Sequence, residues 1–136
     1  FYVPSNVYLL GTMNTADRSL SLVDFALRRR FAFVELAPGF DSPEFETCLV
    51  AQGVSANCVS EIRRRMNQLN DHILQDAHNL GRGFCIGHSF FVPTEHISDE
   101  AQWLDDIIEY EIVPLIEEYW VDDDKQRNAA LEMVRD

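Results

Sequence analysis

Several things are missing from this 136-residue chain, and each absence narrows what it can be. No run approaches the ~18 consecutive apolar residues of a membrane helix, and no basic-then-apolar segment opens the chain as a signal peptide would. Cysteine is scarce: Cys48, Cys58 and Cys85 are odd in number and show neither a CxxC pair nor a His-linked metal spacing. They read as reduced core thiols of a cytosolic protein rather than a disulfide framework. Positive charge is also short. Eleven Lys and Arg face 23 Asp and Glu, a net charge of −12, so the chain as a whole is a poor match for nucleic-acid phosphates. Internal repeats and low-complexity tracts are absent. There is no initiator Met, and the opening Phe1-Tyr-Val-Pro4 has the look of mid-protein sequence, which leads us to expect an excised piece of a longer chain.

What remains is globular: 46% of the residues are hydrophobic, enough for one real core or for part of a larger module. The charge is uneven. Residues 1–40 carry Asp17, Asp24 and Glu35 against Arg18, Arg28, Arg29 and Arg30, whereas from His96 onward Lys125, Arg127 and Arg135 are the only basic residues amid most of the acid. This asymmetry suits either head-to-tail packing of a basic face on an acidic one or an acidic tail that keeps the protein soluble.

Periodicity divides the chain in two. Asn6 to Thr12 reads as a buried parallel strand, Ser19 to about Arg29 as a helix from the spacing of Leu20, Val23 and Leu27, and Phe31 to Leu36 as a second strand. That order predicts the end of an α/β sheet over 1–38. The turn cluster from Pro38 to Pro43 marks a boundary, and residues 39–136 read as an all-α helical subdomain. Its helices are expected over Pro43 to Gln52, capped by Ser42 and stopped by Gly53, and over about Asn57 to His78, with Val59, Ile62, Met66, Leu69 and Ile73 on one face. A third, capped by Ser98, runs toward Tyr119 and is kinked or broken near Pro114, and a last helix spans roughly Asp124 to Arg135.

Chemistry concentrates after the first predicted strand, in Gly11-Thr-Met-Asn-Thr-Ala-Asp-Arg-Ser-Leu20. Open α/β sheets place ligands beyond the carboxyl ends of their strands. Asn14 is therefore either a turn residue satisfying local backbone or an amide that donates to a phosphate or orients a water. Arg28-Arg29-Arg30 spread over roughly 200° of a helix at ~100° per residue, so one or two of them, not all three, can serve a single phosphate. Helix-end dipole compensation explains one arginine and leaves the others free for a partner. Arg63-Arg-Arg65 reads as a solvated helix face, or else an inter-subunit contact. Gly87-His-Ser-Phe-Phe91 is either a packed turn or a ligand-facing loop in which His88 and Ser89 touch a cofactor. Asp122-Asp-Asp124 reads as a helix cap rather than a metal cluster.

The string from Gly11 to Phe31, with MNxxDR and ALRRRF at their mutual spacing, resembles the second half of the AAA+ module of McrB-type proteins, the GTP-hydrolysing motors of modified-cytosine restriction systems. Phe84-Cys-Ile-Gly-His-Ser-Phe-Phe91 and Glu109-Tyr-Glu-Ile-Val-Pro-Leu-Ile-Glu-Glu-Tyr-Trp120 look like that family's lid, so the resemblance covers nearly the whole chain. It implies the C-terminal part of a P-loop NTPase sheet followed by a small helical lid. It implies that Asn14 is the sensor asparagine that orients the attacking water, and that Asp17 and Arg18 complete the hydrolytic loop and receive a McrC-type nuclease subunit. It further implies that Arg29 and Arg30 sit where AAA+ proteins offer an arginine finger to the neighbour in a ring, usually a hexamer. The cofactor implied is GTP, or ATP, with Mg²⁺. No GxxxxGK[ST] loop and no apolar strand ending in Asp-Glu occurs in this sequence, so both are expected upstream of Phe1, as is the DNA-reading domain. A MoxR-like ATPase chaperone and a non-catalytic oligomerisation module are the alternatives.

Overall fold

In the computed structural model, which describes residues 4–13 and 28–135, helix α1 (Pro43–Ala51) begins where the sequence supplies both starting signals. Ser42 is the cap, its hydroxyl accepting from the Phe45 N–H at 3.1 Å, and Pro43 occupies the first turn, where a missing N–H is harmless. Gly53 ends it: its φ of 95° is in the left-handed region that a side chain disfavours, and the turn is closed by Val54 N–H on Leu49 O at 3.1 Å.

Helix α2 (Ala56–Gln75) follows at once, capped by Ser55, whose hydroxyl accepts from the Cys58 N–H. The predicted stripe Val59, Ile62, Met66, Leu69, Ile73 is its buried face. Helix α3 (Glu100–Ile107) is capped by Asp99, which accepts from the Gln102 N–H at 3.1 Å, one residue beyond the expected Ser98. Glu100 reaches back across 45 residues to bind the N–H and hydroxyl of Ser55, closing the start of α2.

Pro114 does not break the chain's helical path. Ile108–Ile112 form a π turn leading into α4 (Val113–Tyr119), and the Val113 N–H reaches back five residues to Ile108 O. Proline has no N–H to give to the Tyr110 carbonyl and its ring crowds the preceding turn, so the wider π ring takes up the mismatch. The last helix, α5 (Asp124–Arg135), packs against both α2 and α4. One core joins them: Phe40, Leu49, Ile62, Met66, Leu69, Ile73, Ile86, Phe91, Ile112, Ile116, Ala130 and Val134 are each no more than 1% exposed.

The α/β expectation for residues 1–38 is corrected. Among the described residues the structure is all-helical, with no strand and no sheet. Residues 7–12 and 31–37 carry no regular structure, and Leu10 is 99% exposed. Hydrophobic, β-branched composition suits a strand, but a strand exists only where another strand's N–H and C=O groups line up with it, and no described segment does so. The chain divides into two compact units, Phe1–Phe33 and Val34–Asp136. In the first, the Val7 N–H closes a turn on Pro4 O at 3.2 Å; the second holds the core and all the helices named above.

Candidate functional site

The segment between α2 and α3 has little regular structure, yet it is held at defined points. Asn70 lies on the buried face of α2, only 7% exposed, and makes a reciprocal pair with one residue of the segment. Its Oδ1 accepts from the Ile86 N–H at 2.7 Å, and its Nδ2 donates to the Ile86 carbonyl at 3.0 Å. The side-chain amide thus does for Ile86 what a neighbouring strand would do, satisfying both backbone groups of a residue that is 1% exposed. Sequence reasoning passed over it. The available signal was a polar residue at a core position, four after Met66 and three before Ile73.

Two residues further on, the 3-10 turn His88–Phe91 begins. His88 Nδ1 accepts from the Gly39 N–H at 3.0 Å, so the proton of this imidazole is on Nε2. The ring stands edge-on to Phe40 and Phe45, at 6.3 and 6.1 Å between centroids. A Cβ on Gly39 would lie 3.4 Å from two atoms of the ring, so the imidazole packs close against the Gly39 backbone. Phe91 is fully buried and Ser89 is exposed. The turn is therefore a packed one. Towards a nucleotide it offers one imidazole N–H and one free-standing hydroxyl, a set that can touch a ligand but does not cradle phosphates.

Asn14, Asp17 and Arg18 lie outside the described residues. Arg28, Arg29 and Arg30 are described and exposed, and none forms an ion pair with another described residue. They belong to the first unit, whereas His88 and Ser89 belong to the second.

In the second arginine triplet Arg64 is the exposed face that the sequence suggested, whereas Arg63 and Arg65 are partly buried against other parts of the chain. Arg63 donates through Nε to the Phe40 carbonyl at 3.0 Å and reaches Glu46 at 3.2 Å. Arg64 binds Glu61 and Gln68. Arg65 bonds Glu61 at 2.7 Å and, at the same distance, the carbonyl of Val134 in the last turn of α5, where a cation suits the helix end. Hydrogen bonds from Arg64 and Arg65 hold the Glu61 carboxyl down from 4.5 to about 2. Periodicity places these arginines off the apolar face, but not Arg63 and Arg65 against the distant parts of the chain they pin.

Elsewhere the charged groups serve structure. Burial works to raise the Asp76 carboxyl, but hydrogen bonds from Trp120 Nε1, at 3.0 Å, and from Asn79 outweigh it and hold the group below its usual range. Asp123 accepts from the Gln126 N–H at the start of α5, and Asp124 pairs with Arg127. Arg135 forms a two-pronged pair with Glu109 at 2.9 and 3.0 Å, tying the end of α5 to the π turn. Among the described residues no three His, Cys, Asp or Glu side chains gather as a metal site. All three cysteines are free thiols; Cys48 is exposed rather than core, and burial raises the thiols of Cys58 and Cys85. No helix among the described residues is long and apolar enough to cross a membrane.

Comparison with known proteins places this architecture. The family model of the McrB alpha-helical lid domain matches residues 61–128, which run from α2 into α5. Over 125 residues, 90% of the chain, the sequence is 49% identical to the Type IV methyl-directed restriction enzyme EcoKMcrB subunit of Escherichia coli strain K12. The match takes in 27% of that protein, so the chain spans about a quarter of its relative's length.

Proposed function

The chain belongs to the McrB family, and from that premise we propose that it is the sensor, arginine-finger and lid portion of an AAA+ motor that hydrolyses GTP to power restriction of modified-cytosine DNA. The observation that carries the proposal is the 49% identity, sustained over 90% of the chain, to a restriction enzyme subunit.

On this reading each candidate residue has a task. The Asn14 amide orients the attacking water, and Asp17 and Arg18 complete the loop around it and receive a McrC-type nuclease subunit. Arg29 or Arg30 extends to the nucleotide of the next protomer in a six-membered ring, where a guanidinium stabilises charge that develops during phosphoryl transfer. Their exposure, with no ion pair to another described residue, leaves them available for that contact. Ser89 lines the lid side of the site. GTP or ATP with Mg²⁺ supplies the bond that is broken, held mainly by a phosphate loop and carboxylates outside these 136 residues, as DNA is by other domains of the same cytoplasmic protein.

The test is turnover by the full-length protein with GTP and with ATP, with and without Asn14→Ala. We expect GTP hydrolysis, and a kcat about 10²-fold lower in the variant at little-changed KM, because a water-positioning amide matters chiefly in the transition state. Preference for ATP favours a MoxR-like ATPase. No turnover of either nucleotide favours a non-catalytic assembly module, and an Asn14→Ala variant within about threefold of wild type reduces Asn14 to a turn residue.

A further inference from the structure

Three consecutive residues at the entrance to the helical core are gripped from three directions. Gly39 gives its N–H to His88 Nδ1 at 3.0 Å. Phe40, 1% exposed, stands edge-on to Phe45 and Phe91 at 5.5 and 5.9 Å, and its carbonyl accepts from Arg63 Nε at 3.0 Å. Asp41 accepts from Asn67 Nδ2 at 3.2 Å and meets Arg63 at 3.5 Å. The grip stops abruptly: Val34, Glu35, Leu36, Ala37 and Pro38 are all exposed, and the Glu35 to Arg82 pair at 3.6 Å joins two largely solvated side chains. Such a pair contributes little to order.

We propose that Gly39–Asp41 is a rigid post through which the chain enters the helical unit, and that His88 is a positioning residue for nucleotide turnover, acting through its Nδ1 on this post rather than through Nε2 on a ligand. Any turning of the unit during the hydrolytic cycle then takes place before Gly39, at Ala37-Pro38, and is transmitted undistorted to the helices behind it. Losing the Gly39 bond moves the pivot into the post, so the lid no longer returns to one place. The proposal rests on the hydrolytic reading above; the post itself does not.

The two ring nitrogens can be separated by substitution. In His88→Asn, Oδ1 stands where Nδ1 stood and still accepts from Gly39. In His88→Gln, the amide stands where Nε2 stood and the Gly39 acceptor is gone. Both variants are made in the full-length protein, with GTP turnover and amide hydrogen exchange at Gly39 as readouts. For His88→Gln the Gly39 amide should exchange about tenfold faster, the worth of roughly one net hydrogen bond. Its kcat should fall by a similar factor, with KM within about twofold of wild type. His88→Asn should keep both exchange and kcat within about threefold of wild type.

The reverse order, Gln active and Asn inactive, overturns the proposal and makes Nε2 a ligand contact. Two variants equal to wild type, or two equally impaired, also overturn it. Should the wild-type protein hydrolyse neither nucleotide, the hydrolytic reading and the positioning role fall together, and Gly39 exchange alone decides whether the post exists.

Discussion

Replacing Asn70 with Ala should be among the most destabilising single changes to the helical unit. The residue is 7% exposed and holds both backbone groups of Ile86, itself 1% exposed, at 2.7 and 3.0 Å. Alanine removes both bonds at once and leaves a buried N–H and a buried C=O without partners. Each orphaned group costs about 1–3 kcal/mol, so the loss should be roughly 2–6 kcal/mol. For a unit of ~100 residues, 1 kcal/mol corresponds to about 4–8 °C, which puts the fall in Tm at roughly 10 °C or more. Urea denaturation of wild type and variant measures it. Gln102→Ala, which removes an exposed amide bonded to Asp106 at 2.8 Å, is the control and should change stability by less than ~0.5 kcal/mol. Exchange of the Ile86 amide should quicken in Asn70→Ala ahead of its neighbours. A loss below about 1 kcal/mol would show that Ile86 finds other partners and that the amide does not anchor the segment.

Two further outcomes follow from the same geometry. The Glu61 carboxyl is lowered in the folded state from 4.5 to about 2, so its contribution is present above pH 4.5 and lost as the pH falls through 2. With the pair partly solvated, that contribution should be about 1 kcal/mol, and Glu61→Gln should flatten the acid limb of the stability curve in this window; an unaltered limb contradicts it. Gly53→Ala places a Cβ 2.6 Å from His96 Cε1 and 2.8 Å from the Ile97 carbonyl at a φ of 95°, and should destabilise by on the order of 1–3 kcal/mol in the same denaturation assay. Wild-type stability in that variant would show that the segment over Gly53 yields freely.

How far the sequence reveals this structure depends on whether the deciding interaction is local. The starts of α1 and α2 and the buried stripe of α2 are local: a proline, a serine or a 3-4 spacing within one turn specifies them, and they appear within a residue or so of the reading. The cap of α3 misses by one because Ser98 and Asp99 are both competent and spacing does not choose between them. Pro114 marks a disturbance, but whether the helix breaks or widens into a π turn depends on Ile112 and Ile116 staying in the core. The strands expected over 6–12 and 31–36 depend on pairing with distant chain, which hydrophobicity alone does not specify. The roles of Arg63, Arg65, Asn70 and His88 are contacts across 16 to 69 residues, invisible to any local pattern. The polar loop around Asn14 lies outside the described residues, while Gly39 and His88 read in the sequence as two unrelated turns.

The central claim, that this chain contributes an arginine to a neighbour's nucleotide site, is tested most directly by mixing two crippled full-length proteins. One carries Arg29→Ala and Arg30→Ala; the other has a disabled phosphate loop. Each should be nearly inactive alone, and both should fold, since exposed arginines contribute little to stability. A mixed ring contains interfaces that pair an intact phosphate loop with an intact arginine, so GTP hydrolysis should partly recover on mixing. Absence of recovery, with co-assembly demonstrated, would contradict the claim and leave Arg29 and Arg30 a structural role within their own protomer.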